Sequence, residues 1–394
     1  RFTLMNRSRL GRTGALAGLA VRGVARSAAA SAMPGSGRAS RKEAAMLRTA
    51  DDVAEVMGNM KGVAMKLGQI LSLMGGSVPD GFADRLSTLQ SQAPPMSIAL
   101  VRQVFREEFN RAPEDLFRTF ESRPFAAASI GQVHRATLRD GAEVAVKVQY
   151  PGVGDAIRHD LANLGTIFGL VGLAAPGLDP GPLVSDLRDG IMRELDYTAE
   201  LRSQQRFGVI YDGHPFIRIP GVYPELSSGR ILVQDFIAGK PFAAARDLAQ
   251  EARDHVAEII FRFTFGSMHR HGLFQADPHA GNYLLLDDGT VAFLDFGCVA
   301  EFSGDLRTKL NRMIAGVVTG DIETWRRGMV EVGYVPSDLA VSDDDLWEHM
   351  RLYYEFILED GVAFTPEMAA AMVRQNVQLT GDAGKLNRRL NIPE

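Results

Sequence analysis

The stretch Phe274–Gly297, FQADPHAGNYLLLDDGTVAFLDFG, decides how the rest of this 394-residue chain is read. It sets Asp277 five residues before Asn282 and ends on the triplet Asp295-Phe296-Gly297. Phosphoryl transfer calls for a carboxylate that orients the acceptor, and for an amide and a second carboxylate on the Mg²⁺ that accompanies ATP. Hard oxygen donors suit that metal. Between them, Tyr283–Leu286 and Thr290–Leu294 predict two short strands around an Asp287-Asp288-Gly289 turn. Such a hairpin brings Asn282 and Asp295 to one end, facing one site. The competing reading is an ordinary acidic hairpin, against which the spacing is far more specific than any single Asp.

Upstream, Gln132–Leu138 and Glu143–Gln149 predict a second hairpin around Arg139-Asp140-Gly141. Alternation puts Val144, Val146 and Val148 on one face and Ala145 and Lys147 on the other. A lysine turned inward needs a partner, and in kinases the partners are the nucleotide α/β-phosphates and a helix carboxylate. The loop before it spaces Ala126, Ala128 and Gly131 as a kinase spaces its three phosphate-loop glycines. Two of the three are alanine, which lacks glycine's freedom at positive φ.

Leu183–Phe207 has helical periodicity and contains Arg193-Glu194-Leu195-Asp196, with Asp196 and Glu200 expected i,i+4 on one face. Glu200 is the candidate partner of Lys147. Arg230–Phe236 is strand-like, and Gln234–Ile237 is the expected hinge, its backbone groups offered to an adenine edge. From Gln250 to Arg270 the pattern predicts one long helix, and Gly304–Asn391 is helical with no evident chemistry.

The composition, 46% hydrophobic and 23% charged, is that of a globular protein, and a net charge of −5 argues against nucleic acid as a partner. The lone cysteine, Cys298, excludes an internal disulfide and reads as a small buried filler. No stretch makes a convincing membrane span; Leu161–Pro176 is short, glycine-rich and interrupted by Asn163. Residues Arg1–Lys42 hold nine Arg or Lys and no acid. Disordered tail, transit peptide and membrane-surface helix all remain open for this arm. From Glu43 to Met74, Val53, Val56, Met57, Met60, Val63, Leu67, Ile70 and Leu71 form one apolar stripe. Lys66 and Gln69 neighbour each other on that helix, with Gly68 leaving a bare patch between them.

Six ordered motifs now stand together: Lys66-Leu67-Gly68-Gln69, Ala126–Ser129, Val144-Ala145-Val146-Lys147, Glu194-Leu195-Asp196, Asp277–Asn282 and Asp295-Phe296-Gly297. In this order they resemble the UbiB/ADCK-type atypical kinases. The resemblance implies an α+β, bilobal protein-kinase-like fold with an N-terminal helical extension carrying Lys-x-Gly-Gln. The expected organisation is an arm at 1–42, the extension at 43–95, a kinase-like N-lobe at 96–237 and a helical C-lobe at 238–394.

By the same resemblance, Lys147 holds the phosphates and pairs with Glu200, and Asp277 is the catalytic-loop acid. Asn282 and Asp295 take Mg²⁺. Ala126, Ala127, Ala128, Ser129 and Gly131 form an alanine-rich phosphate loop, while Ala145, Gln234 and Phe236 line the nucleotide. Lys66 and Gln69 reach into the site, and Glu194 and Asp196 fix their helix. Gln275-Ala276-Asp277 replaces the His-Arg-Asp of ordinary protein kinases.

ATP and Mg²⁺ are the implied cofactors, and the implied role is support of ubiquinone and related isoprenoid-lipid synthesis. Quinone-pathway enzymes or isoprenoid lipids are the expected partners. The expected location is the cytoplasm, at the periphery of an inner membrane through the basic arm. Two other readings compete: a small-molecule phosphotransferase of the aminoglycoside or choline kinase type, and a nucleotide-gated scaffold without useful turnover.

Overall fold

A computed structural model describes residues 95–128, 130–155, 157–158, 188, 190, 192–359, 361–377, 384, 386–387 and 389–390. The basic arm, the expected helix around Lys66–Gln69, Leu161–Pro176 and Ser129 lie outside the described residues. The described chain forms two compact units. One runs up to Leu248 and takes in His279–Cys298; the other comprises Ala249–Pro278 and the chain from Val299 onward. The hairpin that carries Asn282 and Asp295 therefore groups with the first unit, not with the helices that follow it in sequence.

Among the described residues the first unit opens with helix α1 (Ile98–Phe109), which Asn110 ends at φ 55°, and the single turn α2 (Pro113–Leu116). Strands β1 (Thr119–Phe120), β2 (Ala126–Ala128), β3 (Gly131–Thr137) and β4 (Glu143–Gln149) follow. After helix α3 (Tyr197–Ile210) and the short β5 (Ile217–Arg218) comes β6 (Ile231–Asp235). β4 lies between β3 and β6, and the far edge of β3 pairs with both β1 and β2, all antiparallel.

The alternation read in β4 sets the two faces of this sheet. Val144, Val146 and Val148, with Ile231 and Val233, pack against Val101, Val104 and Phe105 of α1 and against Phe117. The opposite face carries Lys147. Ala126–Ala128, expected as a loop, is strand: its backbone pairs with Gly131–Val133 in a tight hairpin. A second sheet orders β5, β10 (Val291–Phe293), β9 (Tyr283–Leu285) and β7 (Lys240–Pro241).

The second unit begins with helix α4 (Gln250–Gly266). The single helix expected to Arg270 stops earlier, because Ser267–His271 widens into a π-helical turn. Gly272 closes that turn at φ 68°, a conformation glycine adopts without strain. Strand β8 (Leu273–Gln275) pairs with β11 (Val299–Glu301). Helices α5 (Gly304–Thr319), α6 (Ile322–Glu331) and α7 (Asp343–Met350), the turn α8 (Glu355–Leu358) and helix α9 (Pro366–Val377) complete it. Their core centres on Trp325, in edge contact with Trp347 and Tyr354. Among the described residues no helix is long and apolar enough to cross a membrane.

A buried polar network ties the chain before α1 to β3. Gln132 accepts from the Met96 N–H at 2.8 Å and donates back to the Met96 carbonyl, and its amide nitrogen lies 2.8 Å from His134 Nε2. His134 Nδ1 lies 2.7 Å from the Glu121 carbonyl, which can only accept. The imidazole is therefore neutral, with its proton on Nδ1. Burial holds its pKa below the ordinary value. A histidine with a depressed folded pKa contributes stability above its unfolded pKa, and that contribution is lost as pH falls. Urea midpoints should therefore drop between pH 7.5 and pH 5.5, and the drop should shrink in His134→Gln. Equal drops in the two proteins would assign the titration to another group.

Candidate active site

Lys147 stands on β4 facing away from the valine core, 8% exposed, and its Nζ lies 2.5 Å from Glu200 Oε1. It also lies 3.7 Å from Asp295 Oδ2 and 3.4 Å from the Leu294 carbonyl. Burial disfavours the ammonium, but the Glu200 and Asp295 carboxylates outweigh it and hold Lys147 above its ordinary pKa. Glu200 is equally buried. Desolvation pushes it up to about 7 against the pull of Lys147.

Glu200 is placed by the start of α3, not by a long helix from Leu183. A turn at Leu195 breaks the expected helix, and Asp196 is the N-cap, its carboxylate accepting from the Thr198 N–H at 2.9 Å. Asp196 and Glu200 therefore do not share a helix face. Gln149 fixes this corner by donating to the Leu195 and Gly229 carbonyls at 3.1 and 3.2 Å. Tyr197 N–H donates to the same Gly229 carbonyl at 3.1 Å. Nothing in the motif pattern marks Gln149. Its only sequence signal is that it shares the parity of Ala145 and Lys147.

The hairpin behaves as its spacing predicts. Tyr283 pairs with Phe293, and the Leu294 N–H donates to the Asn282 carbonyl at 3.0 Å, so Asn282 and Asp295 sit at the same end. Asp295 Oδ1 accepts from the Gly297 N–H at 3.0 Å, which orients the carboxylate from the side opposite Lys147. Phe296, 1% exposed, packs on Phe207 of α3 with ring centroids 4.9 Å apart, and so anchors the triplet. A Cβ on Gly297 would lie 3.3 Å from Asp295 Oδ1 and 3.7 Å from Glu200 Oε2. Cys298, expected buried, is half-buried.

Lys147, Glu200, Asn282 and Asp295 are thus brought into one unit. Asp277 is carried by the second unit, half-buried two residues after β8. Glu194 lies in the helical turn ahead of the cap. Lys66, Gln69 and Ser129, expected in the site, lie outside the described residues.

The third position of the alanine-rich segment is sterically closed. A Cβ on Gly131 would lie 2.2 Å from the Val148 carbonyl oxygen. Ala126 and Ala127 are exposed on the hairpin.

One backbone group of the expected hinge is already committed. The Phe236 N–H donates to the Glu143 carbonyl at 3.0 Å and is spent within the sheet instead of being offered to a base. The Phe236 ring meets Phe125 edge-on and lies 4.2 Å beneath the Arg135 guanidinium. Gln234, 4% exposed, pairs with Ala145 and so shares the Lys147 face.

The donor set fits ATP with Mg²⁺. An ammonium suits phosphate oxygens, and one carboxylate with one amide supplies the few protein oxygens that Mg²⁺ takes beside them. Asn282 and Asp295 would hold the metal, and Lys147 the phosphates.

The fold and this grouping define the protein-kinase-like class, α+β and bilobal. The chain belongs to the ABC1 atypical kinase family, also called UbiB/ADCK-type: the ABC1 atypical kinase-like domain matches residues 88–328. Among its relatives are the mitochondrial atypical kinase coq-8 of Caenorhabditis elegans, 30% identical, and the mitochondrial atypical kinase COQ8B of Rattus norvegicus, 31% identical. The match covers 75% of this chain and 40% of the worm protein, and 69% of this chain and 52% of the rat protein. The chain thus spans about half or less of the length of these two relatives. The solved complex of Rv3197 with erythromycin from Mycobacterium tuberculosis is similar at a TM-score of 0.62 and 33% identity. It covers 83% of this chain and 84% of that one.

Removing one partner from a buried ion pair costs roughly 3–5 kcal/mol, whereas replacing both by apolar groups is often neutral. Glu200→Leu should therefore lower stability by about 3 kcal/mol in urea unfolding, and Lys147→Met added to it should recover most of the loss. An unrecovered loss would show that neighbours, not the pair, set the cost.

Proposed function

We propose that this chain is an atypical kinase or ATPase that binds ATP with Mg²⁺ and supports isoprenoid quinone synthesis. The observation that carries the reading is Lys147 held between Glu200 at 2.5 Å and Asp295 at 3.7 Å. A buried lysine clamped by two carboxylates is ready to take phosphate oxygens without reorganising, which is electrostatic preorganisation. In this reading Glu200 keeps the ammonium in place, and Asp277 orients the acceptor hydroxyl or water. Mg²⁺, when bound by Asn282 and Asp295, neutralises charge on the phosphates.

The quinone link comes from the family resemblance and from relatives named as atypical kinases of the coq-8 and COQ8B type. The basic arm, with nine cations and no acid, supplies an attraction to anionic lipid. It supports a location at the periphery of an inner membrane, with isoprenoid lipids or quinone-pathway enzymes as partners.

The test is Mg²⁺-dependent ATP hydrolysis by the purified chain, with and without anionic liposomes. Turnover should rise with liposomes and fall by about 100-fold or more in Asp295→Asn. Tight ATP binding without turnover would favour the scaffold reading. Efficient transfer to hydroxylated small molecules would favour a phosphotransferase.

A further inference from the structure

The side chain of Gln234 is the polar group on the Lys147 face that the site chemistry leaves unused. Only 4% of the residue is exposed, and its Oε1 has no hydrogen-bond partner among the described residues. A buried carbonyl oxygen left unpaired is costly, and native proteins seldom leave one without a reason.

Its placement is specific. Gln234 stands opposite Ala145, while Leu232 stands opposite Lys147, so Gln234 and Lys147 share one sheet face, two residues apart in register. That separation is about 7 Å along the strand. At the Lys147 end the face is charged, with Glu200 and Asp295. At Ala145, between Lys147 and Gln234 on this face, the side chain is a single methyl. Beyond it, Arg135 is tied to Glu143 at 2.7 Å and covers the Phe236 ring, with Phe125 against that ring's edge. A ring lying on Ala145 with its phosphates at Lys147 turns an edge toward β6. There the Phe236 N–H is already committed to the Glu143 carbonyl, and the unsatisfied group is an acceptor.

The backbone that carries Gln234 is held firmly. Asp235, the next residue, accepts from Tyr223 Oη at 2.9 Å and from the Gly221 N–H at 2.8 Å, and Val222 bridges to Gln234 across the edge of β6. The strand that presents the amide is thus paired on both sides.

We propose that Gln234 is a specificity-determining residue whose Oε1 accepts from the exocyclic amine of a 6-aminopurine nucleotide. With the amide oriented as it stands, Oε1 toward the site, a 6-oxo purine would set an acceptor against an acceptor, and an unsubstituted purine would leave Oε1 unpaired. A site built to hydrogen-bond a substrate group discriminates against analogues that lack it. This inference rests on the nucleotide-binding reading above.

The test is displacement of a ribose-labelled fluorescent ADP from the full chain in Mg²⁺, using ATP, inosine triphosphate and the triphosphate of unsubstituted purine riboside. In the natural chain ATP should compete about tenfold better than either analogue. In Gln234→Met, which keeps the volume and removes the acceptor, the three should fall within about threefold of one another. Equal competition by ATP and inosine triphosphate in the natural chain would overturn the proposal and leave the nucleotide site standing. A tenfold preference that persists in Gln234→Met would overturn it as well. Failure of every nucleotide to bind would defeat the nucleotide reading and this inference together. Should Gln234→Met not fold, the series on the natural chain decides alone.

Discussion

A buried ammonium without a carboxylate is among the costliest things a sheet can carry, and the first unit is arranged around avoiding it. Lys147 alternates with three valines, so the packing that turns Val144, Val146 and Val148 into the core drives the lysine to the other face. Desolvation there would neutralise it. Glu200 prevents this, and Glu200 is in reach only because α3 begins at Asp196. The cap, the amide of Gln149 on the Leu195 carbonyl and the Phe296–Phe207 contact all converge on one ion pair. Asp295 is drawn into the same arrangement, its two oxygens held by Lys147 and by the Gly297 amide.

What was legible in the sequence follows from how local each signal is. The two hairpins were readable because alternation and turn residues lie within a dozen positions of one another. The end-on placement of Asn282 and Asp295 followed from the register alone. That the lysine has an acid partner was readable because an inward lysine demands one, and Leu183–Phe207 is rich in acids. The start of α3 was not readable. Apolar residues continue at helical spacing from Leu183, and periodicity does not say whether an aspartate faces solvent or turns back onto an amide two residues on. The strand character of the alanine run is hidden for a related reason: three alanines carry no strand signal, and their pairing with Gly131–Val133 supplies it.

The hinge marks a different limit. Whether a backbone N–H is offered to a ligand or consumed by a neighbouring strand depends on which residue lies across from it. Phe236 finds the Glu143 carbonyl, a partner 93 positions away that no motif specifies. The same long-range register places Gln234 on the Lys147 face, where its side chain, not its backbone, is the group left to explain.

The contact between Gly131 and the Val148 carbonyl has a consequence for how this segment tolerates change. Ala126 and Ala127 are exposed, so their side chains are not called on by sheet packing. Position 131 admits no carbon at all, since a methyl would overlap a carbonyl oxygen at 2.2 Å. A library that randomised the whole segment would keep folded members of varied composition at the first two positions and glycine alone at the third. The segment is free to vary where it meets solvent and fixed where the Val148 carbonyl closes on it.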